Sequence, residues 1–145
     1  MRRSITLFSI LVLSLFLTAL KGTTNNVDID YGSSVKFSEI EIKSAIDIVL
    51  ADFAKAKAYK GCDLTRLWYD EEESNQMVEI YMTYGRGSVN GVKKENVIIL
   101  QGHFDVGDKA DIYLKGESAI TNWHWTLIRN NSMDKWIIDG AGWNY

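Results

Sequence analysis

At 145 residues, with 46% apolar and 24% charged side chains, the chain has room for one packed core and does not have the composition of a disordered polymer. Its formal net charge is −3 and no basic run occurs, so a phosphate backbone is repelled and nucleic-acid binding is set aside. Proline is absent, so loops must turn on Gly, Asn, Asp and Ser, and a single cysteine excludes an intramolecular disulfide.

Residues 1–20, MRRSITLFSILVLSLFLTAL, pair a basic start with an uncharged stretch from Ile5 to Leu20. That is the build of a secretory signal. As a helix the stretch spans about 24 Å, short of the roughly 30 Å core of a bilayer, which favours a signal peptide or an uncleaved anchor over a full membrane helix. Either outcome leaves the rest of the chain outside the cytoplasmic membrane. Leu20 stands where a lipoprotein signal carries its cysteine, so no lipid modification is expected.

Residues 21–35 are polar and read as a linker, and residues 36–145 as one α+β domain. A first helix is predicted from Phe37 to Lys60, closed by Gly61. Ser38 and Glu41 form a capping box, and Ile42, Ile46, Val49, Leu50 and Phe53 make one apolar stripe. Residues 62–70, CDLTRLWYD, read as a strand in which Cys62 is an inert, buried apolar residue rather than a reactive thiol.

A short second helix follows the acidic run Asp70 to Glu73, with Met77, Ile80, Tyr81 and Tyr84 at helical spacing. The acidic run lacks the alternating ligands and turn glycine of a calcium loop and is ordinary helix-start chemistry. After a Gly/Asn loop come strands at 96–106 and 110–114, then two strands in the tail NWHWTLIRNNSMDKWIIDGAGWNY. This order predicts one antiparallel sheet with its helices on one face.

Standard catalytic and phosphate-binding signatures are missing, and neither a metal nor an organic cofactor is expected. In the strand at 96–106 the even residues Ile98, Leu100, Phe104 and Val106 are apolar, while Gln101, His103 and Asp105 share the opposite face. A four-residue turn from Asn130 to Met133 pairs Arg129 with Asp134, Trp125 with Ile138, Leu127 with Trp136 and His124 with Asp139. Trp123 and Trp125 then face the core, and His124 faces away. His103, Asp105, His124 and Asp139 are the ligand-binding candidates if their strands are neighbours. Otherwise they are the polar side of a solvated sheet.

Several ordered words resemble a known family: Phe37-Ser38-Glu39, Cys62-x-Leu64-x-x-Leu67-Trp68-Tyr69-Asp70-Glu71, Asn96-Val97-Ile98-Ile99-Leu100, and Trp123-x-Trp125-x-Leu127-x-Arg129 with Lys135-Trp136-x-x-x-Gly140. Across residues 36–143 they are similar to uncharacterised extracytoplasmic domains of Gram-positive bacteria with a nuclear transport factor 2-like, cystatin-like fold. The resemblance implies a curved antiparallel sheet on an N-terminal helix and brings no catalytic residues. The expected function is non-enzymatic binding of a small ligand or envelope component in the cone of the sheet. The alternatives are an isomerase- or dehydratase-type enzyme with Asp70 or His103 as base, and a protein-interaction module, as in a homodimer.

Overall fold

The computed structural model describes residues 21–110 and 118–143. The export segment 1–20, and all but Ala110 of the strand expected at 110–114, lie outside the described residues. In chain order the elements are β1 (Asp28–Asp30), α1 (Glu39–Phe53), β2 (Cys62–Trp68), α2 (Glu71–Tyr84), β3 (Val97–Val106), β4 (Ala119–Ile128) and β5 (Ile137–Gly142). The chain is α+β, and its strands form one sheet in the order β1-β2-β3-β4-β5. The pairings from β2 to β5 are antiparallel. Asp28–Asp30, within the stretch read as a linker, adds a parallel edge beside β2, so the sheet is mixed rather than purely antiparallel. Each antiparallel pair carries a register shift, at Leu64/Arg66, Gly102/Phe104 and Thr126/Leu127, and such shifts bend the strands.

The capping box starts α1: Ser38 Oγ accepts from the Glu41 amide and Glu41 Oε2 accepts from the Ser38 amide. The helix buries Ile42, Ala45, Ile46, Val49 and Phe53 and ends at Phe53, well before Gly61. The basic residues Lys55, Lys57 and Lys60 therefore lie beyond its last turn. The chain leaves the helix to stack Tyr59 on Phe53, at 4.4 Å between ring centres, a contact a continuing helix would forbid. Tertiary packing overrides local propensity here. Gly61, at φ +71°, then turns the chain into β2.

The face of the sheet under α1 is filled. Trp125 is fully buried, packs edge-on to Phe53 and donates its indole proton to Tyr59 Oη at 2.9 Å. The sheet admits that ring because position 102 is glycine: a Cβ there would sit 2.7 Å from the Trp125 ring and 2.8 Å from the Arg66 carbonyl. Cys62 is buried in the same core, and burial pushes its thiol up to about 11.

α2 does not share that face. It packs on the opposite one, where Val78 meets Val97 and Ile99. The helix also supplies a missing bond: β2 ends opposite Gln101, and Ser74 Oγ accepts from the Ile99 amide at 3.1 Å. The expectation of helices on one face is corrected. A strand apolar at both odd and even positions, as Val97 to Leu100 is, needs cover on both sides.

The tail hairpin also differs from its expected register. Leu127 pairs with Ile138, Thr126 with Gly140, Trp125 with Ala141 and His124 with Gly142. Trp136 leaves the strand so that its ring packs on Phe37 and its indole donates to the Glu41 carbonyl at 3.1 Å. Arg129 pairs with Glu41 at 2.7 Å instead of with Asp134, and its guanidinium lies 4.1 Å from the Trp136 ring centre. Burial by itself would raise the Glu41 carboxyl, but the Ser38 amide and Arg129 outweigh it and hold that carboxyl below its usual range.

Candidate functional site

Between α2 and the β4–β5 end of the sheet lies a cleft of about 540 Å³. The stripe seen in the sequence, Met77, Ile80, Tyr81 and Tyr84, forms its helical wall, and Ile99, His124 and Thr126 line the sheet side. Tyr84 and Val89 are each 85% exposed at its border and Trp143 is 51% exposed, an apolar rim of the kind that marks binding surfaces.

His124 is only 5% exposed, and neither ring nitrogen has a hydrogen-bond partner among the described residues. Gln101, 1% exposed, sits directly across from it on β3, and its amide is also without a partner. Burial lowers the proton affinity of the His124 ring, with Glu73 acting in the opposite sense. The ring is therefore neutral near pH 7, with one donor and one acceptor.

The register shift places Asp139 between Ile138 and Gly140 with no residue directly opposite. Its side chain, 8% exposed, accepts from Tyr81 Oη at 2.7 Å and pairs with Arg86 at 3.1 Å. Asn90 Nδ2 donates to the same Tyr81 oxygen at 2.7 Å. Burial and the bonded carboxylate push the Tyr81 phenol up to about 12. This network ties the Gly/Asn loop after α2 to β5 and closes one end of the cleft.

The five sequence candidates are not one constellation. His124 and Asp139 line the same cleft, though not as paired residues. His103 packs edge-on to Trp68 at 4.7 Å, and its Nδ1 accepts from the Asn122 amide at 3.1 Å. Asp105 is exposed and pairs in register with Asp63 and Ala119. Asp70 caps α2, accepting from the Glu73 amide at 2.8 Å.

Asp70 also borders a polar groove of about 710 Å³ near Arg66 and Trp68. Three acids of that groove are engaged: Asp70 caps the helix, Asp30 accepts from the Gly32 amide, and Glu71 accepts from Ser34 and the Val35 and Lys36 amides. Among the described residues no three His, Cys, Asp or Glu side chains group to hold a metal ion.

Sequence reasoning missed Gln101, Tyr81 and Arg86 as site residues. The signal for the cleft was present in the apolar odd positions Val97 and Ile99, which required a second layer to cover them. His124 was expected to face away from the core, as a ligand-binding candidate or as part of a solvated face. It is buried because α2 lies over that face.

A model of the family described as a domain of unknown function, DUF4829, matches residues 12–142, and the chain belongs to that family. Comparison with curated proteins and with solved structures returns no match.

Proposed function

We propose that this member of the DUF4829 family is an exported, non-catalytic domain that binds a small, largely apolar ligand in the cleft between α2 and β4–β5. The scaffold we assign is of the nuclear transport factor 2-like type, on the strength of an N-terminal helix laid across a bent, mainly antiparallel sheet. Export rests on the basic start and apolar run of residues 1–20, and the Gram-positive, cell-envelope setting on the resemblance in the core motifs.

The observation that carries the binding reading is His124. A buried polar group left without a partner costs about 1–3 kcal/mol, and a ligand in the cleft relieves that cost. Concave, mostly apolar sites with few polar groups are the usual form of small-molecule sites. The enzyme alternative has less support, because Asp70 is used as a helix cap and His103 lies against Trp68, outside the cleft. The homodimer alternative draws on the position of β5 as the last strand of the sheet among the described residues and on exposed Ile137.

The test uses N-phenyl-1-naphthylamine, an uncharged dye that fluoresces on entering apolar sites. A Cβ at Gly140 meets nothing within 4 Å, so Gly140→Phe fills the cleft without a backbone clash. Saturable fluorescence with the full-length chain, abolished in folded G140F, is the expected result. Enhancement that is unsaturable, or equal in G140F, overturns the reading.

A further inference from the structure

We infer that the group the ligand presents to the cleft floor is an uncharged hydrogen-bonding head, a carboxamide or hydroxyl, received by His124 with Gln101 behind it. This rests on the binding reading above and adds the ligand's chemical class.

His124 and Gln101 face each other across β3 and β4, a spacing at which opposed Cβ atoms lie about 5 Å apart and side chains touch. Both are nine-tenths buried or more, and both have their polar atoms without partners among the described residues. The two side chains are complementary. If the Gln101 carbonyl accepts from one imidazole N–H, the other nitrogen is left as an acceptor. If the Gln101 NH2 donates, the other nitrogen is a donor. The pair therefore offers either polarity by an amide flip and a tautomer change, and neither form carries a charge.

Charged heads are disfavoured on both signs. An anion would be stabilised by imidazolium, which burial resists, and it would meet the fields of Glu73 and Asp139. A cation has Asp139 as the carboxylate lining the cleft, and that carboxylate is already bonded to Tyr81 and Arg86. Desolvating an ion in a site walled largely by Met77, Ile80, Ile99 and Val89 is costly, and the two charges that line the cleft, Arg86 and Asp139, are already paired with each other. A neutral amide or hydroxyl loses far less water and satisfies atoms that are otherwise bare.

Four biphenyls of one shape separate the possibilities: biphenyl-4-carboxamide, biphenyl-4-carboxylate, biphenyl-4-methylammonium and unsubstituted biphenyl. Each competes against N-phenyl-1-naphthylamine on the full-length chain at pH 7.5. The carboxamide is expected to displace the dye at about tenfold lower concentration than either ion or the hydrocarbon, the worth of one well-made buried hydrogen bond. It should also shift the imidazole resonances of His124 and leave those of His103 in place. In His124→Leu the carboxamide should lose its advantage over biphenyl.

A carboxylate or ammonium that competes as well as the carboxamide overturns this inference while dye binding leaves the site standing. So does a carboxamide that leaves the His124 resonances unmoved, a readout on the wild-type chain that does not depend on the variant folding. Failure of the dye to bind at all removes the site itself.

Discussion

The two faces of the sheet are built by different rules. Under α1 the layer is dense and its indoles are matched, Trp123 and Trp125 donating to Tyr59 Oη and Trp136 to the Glu41 carbonyl, while Tyr69 Oη there is without a partner among the described residues. Under α2 the contact is narrower, with Val78, Val97 and Ile99 as its buried apolar centre, and His124 in the cleft lining and Gln101 beside it have polar atoms without partners among the described residues. A face that carries stability can fill its space completely. A face that receives a ligand has to leave volume and unmet hydrogen bonds, at a cost in stability that the first face must cover. The contrast lies within single strands, since Trp125 and His124 are neighbours in β4 and point opposite ways.

The largest expected effect is at Trp125. Trp125→Ala removes a fully buried ring and its bond to Tyr59, and should cost about 3–5 kcal/mol in a denaturant titration. That is a large part of the roughly 5–15 kcal/mol that holds a domain together. A loss below about 1 kcal/mol would mean that the α1 face is not the stabilising one.

A smaller loss is expected at Arg129, which joins the tail to the start of α1. Its side chain is 5% exposed and that of Glu41 is 28% exposed, so water still reaches one partner. Arg129→Met keeps the packing on Trp136 but leaves Glu41 Oε1 without its cation, Oε2 still accepting from Ser38, and should cost about 2–3 kcal/mol, under the range for a fully buried pair. Removing both charges with Glu41→Gln in the same chain should recover part of the loss. If the double variant is as unstable as the sum of the singles, the pair is not coupled and the tail is held by Trp136 alone.

The α1 face was legible in the sequence, and the α2 face was not. Ser38 and Glu41 announce a helix start by local chemistry, and the stripe from Ile42 to Phe53 follows from helical spacing. The alternation through Ile98, Leu100 and Phe104 places the core side of β3, and the opposite orientations of Trp125 and His124 follow from strand geometry. What covers the second face is a long-range fact. Nothing near His124 in the chain says that α2, some forty residues earlier, lies over it. The position of Asp139 was hidden for another reason. It depends on a pairing displaced by two residues, Leu127 meeting Ile138 rather than Trp136, and on a further one-residue shift between Thr126 and Leu127, with Trp136 outside the strand against α1. The edge strand Asp28–Asp30 is three residues in a polar stretch, too short to show alternation.

The smallest effect, and the one that bears most directly on the second face, is at His124. His124→Leu keeps much of the side-chain volume and deletes two polar atoms that have no partner, so at pH 7.5 stability should be unchanged or higher by up to about 1 kcal/mol. The difference should then depend on pH. Burial holds the folded imidazole below its ordinary value of 6.5, Glu73 only partly offsetting this, while the unfolded chain titrates near that value. Between the two the unfolded state binds the extra proton, so the wild-type chain loses stability as pH falls through about 6.5 and levels off below the folded value. Every other group is common to both chains and largely cancels in the difference. At pH 5.5 the advantage of the leucine variant should have grown by up to about 1.4 kcal/mol, the equivalent of one pKa unit. Urea titrations of the two chains at both pH values measure it. An advantage that stays constant would mean that water reaches the ring freely. One that shrinks in acid would mean that a carboxylate, Glu73 first among them, already pairs with His124, and that the cleft floor is charged rather than neutral.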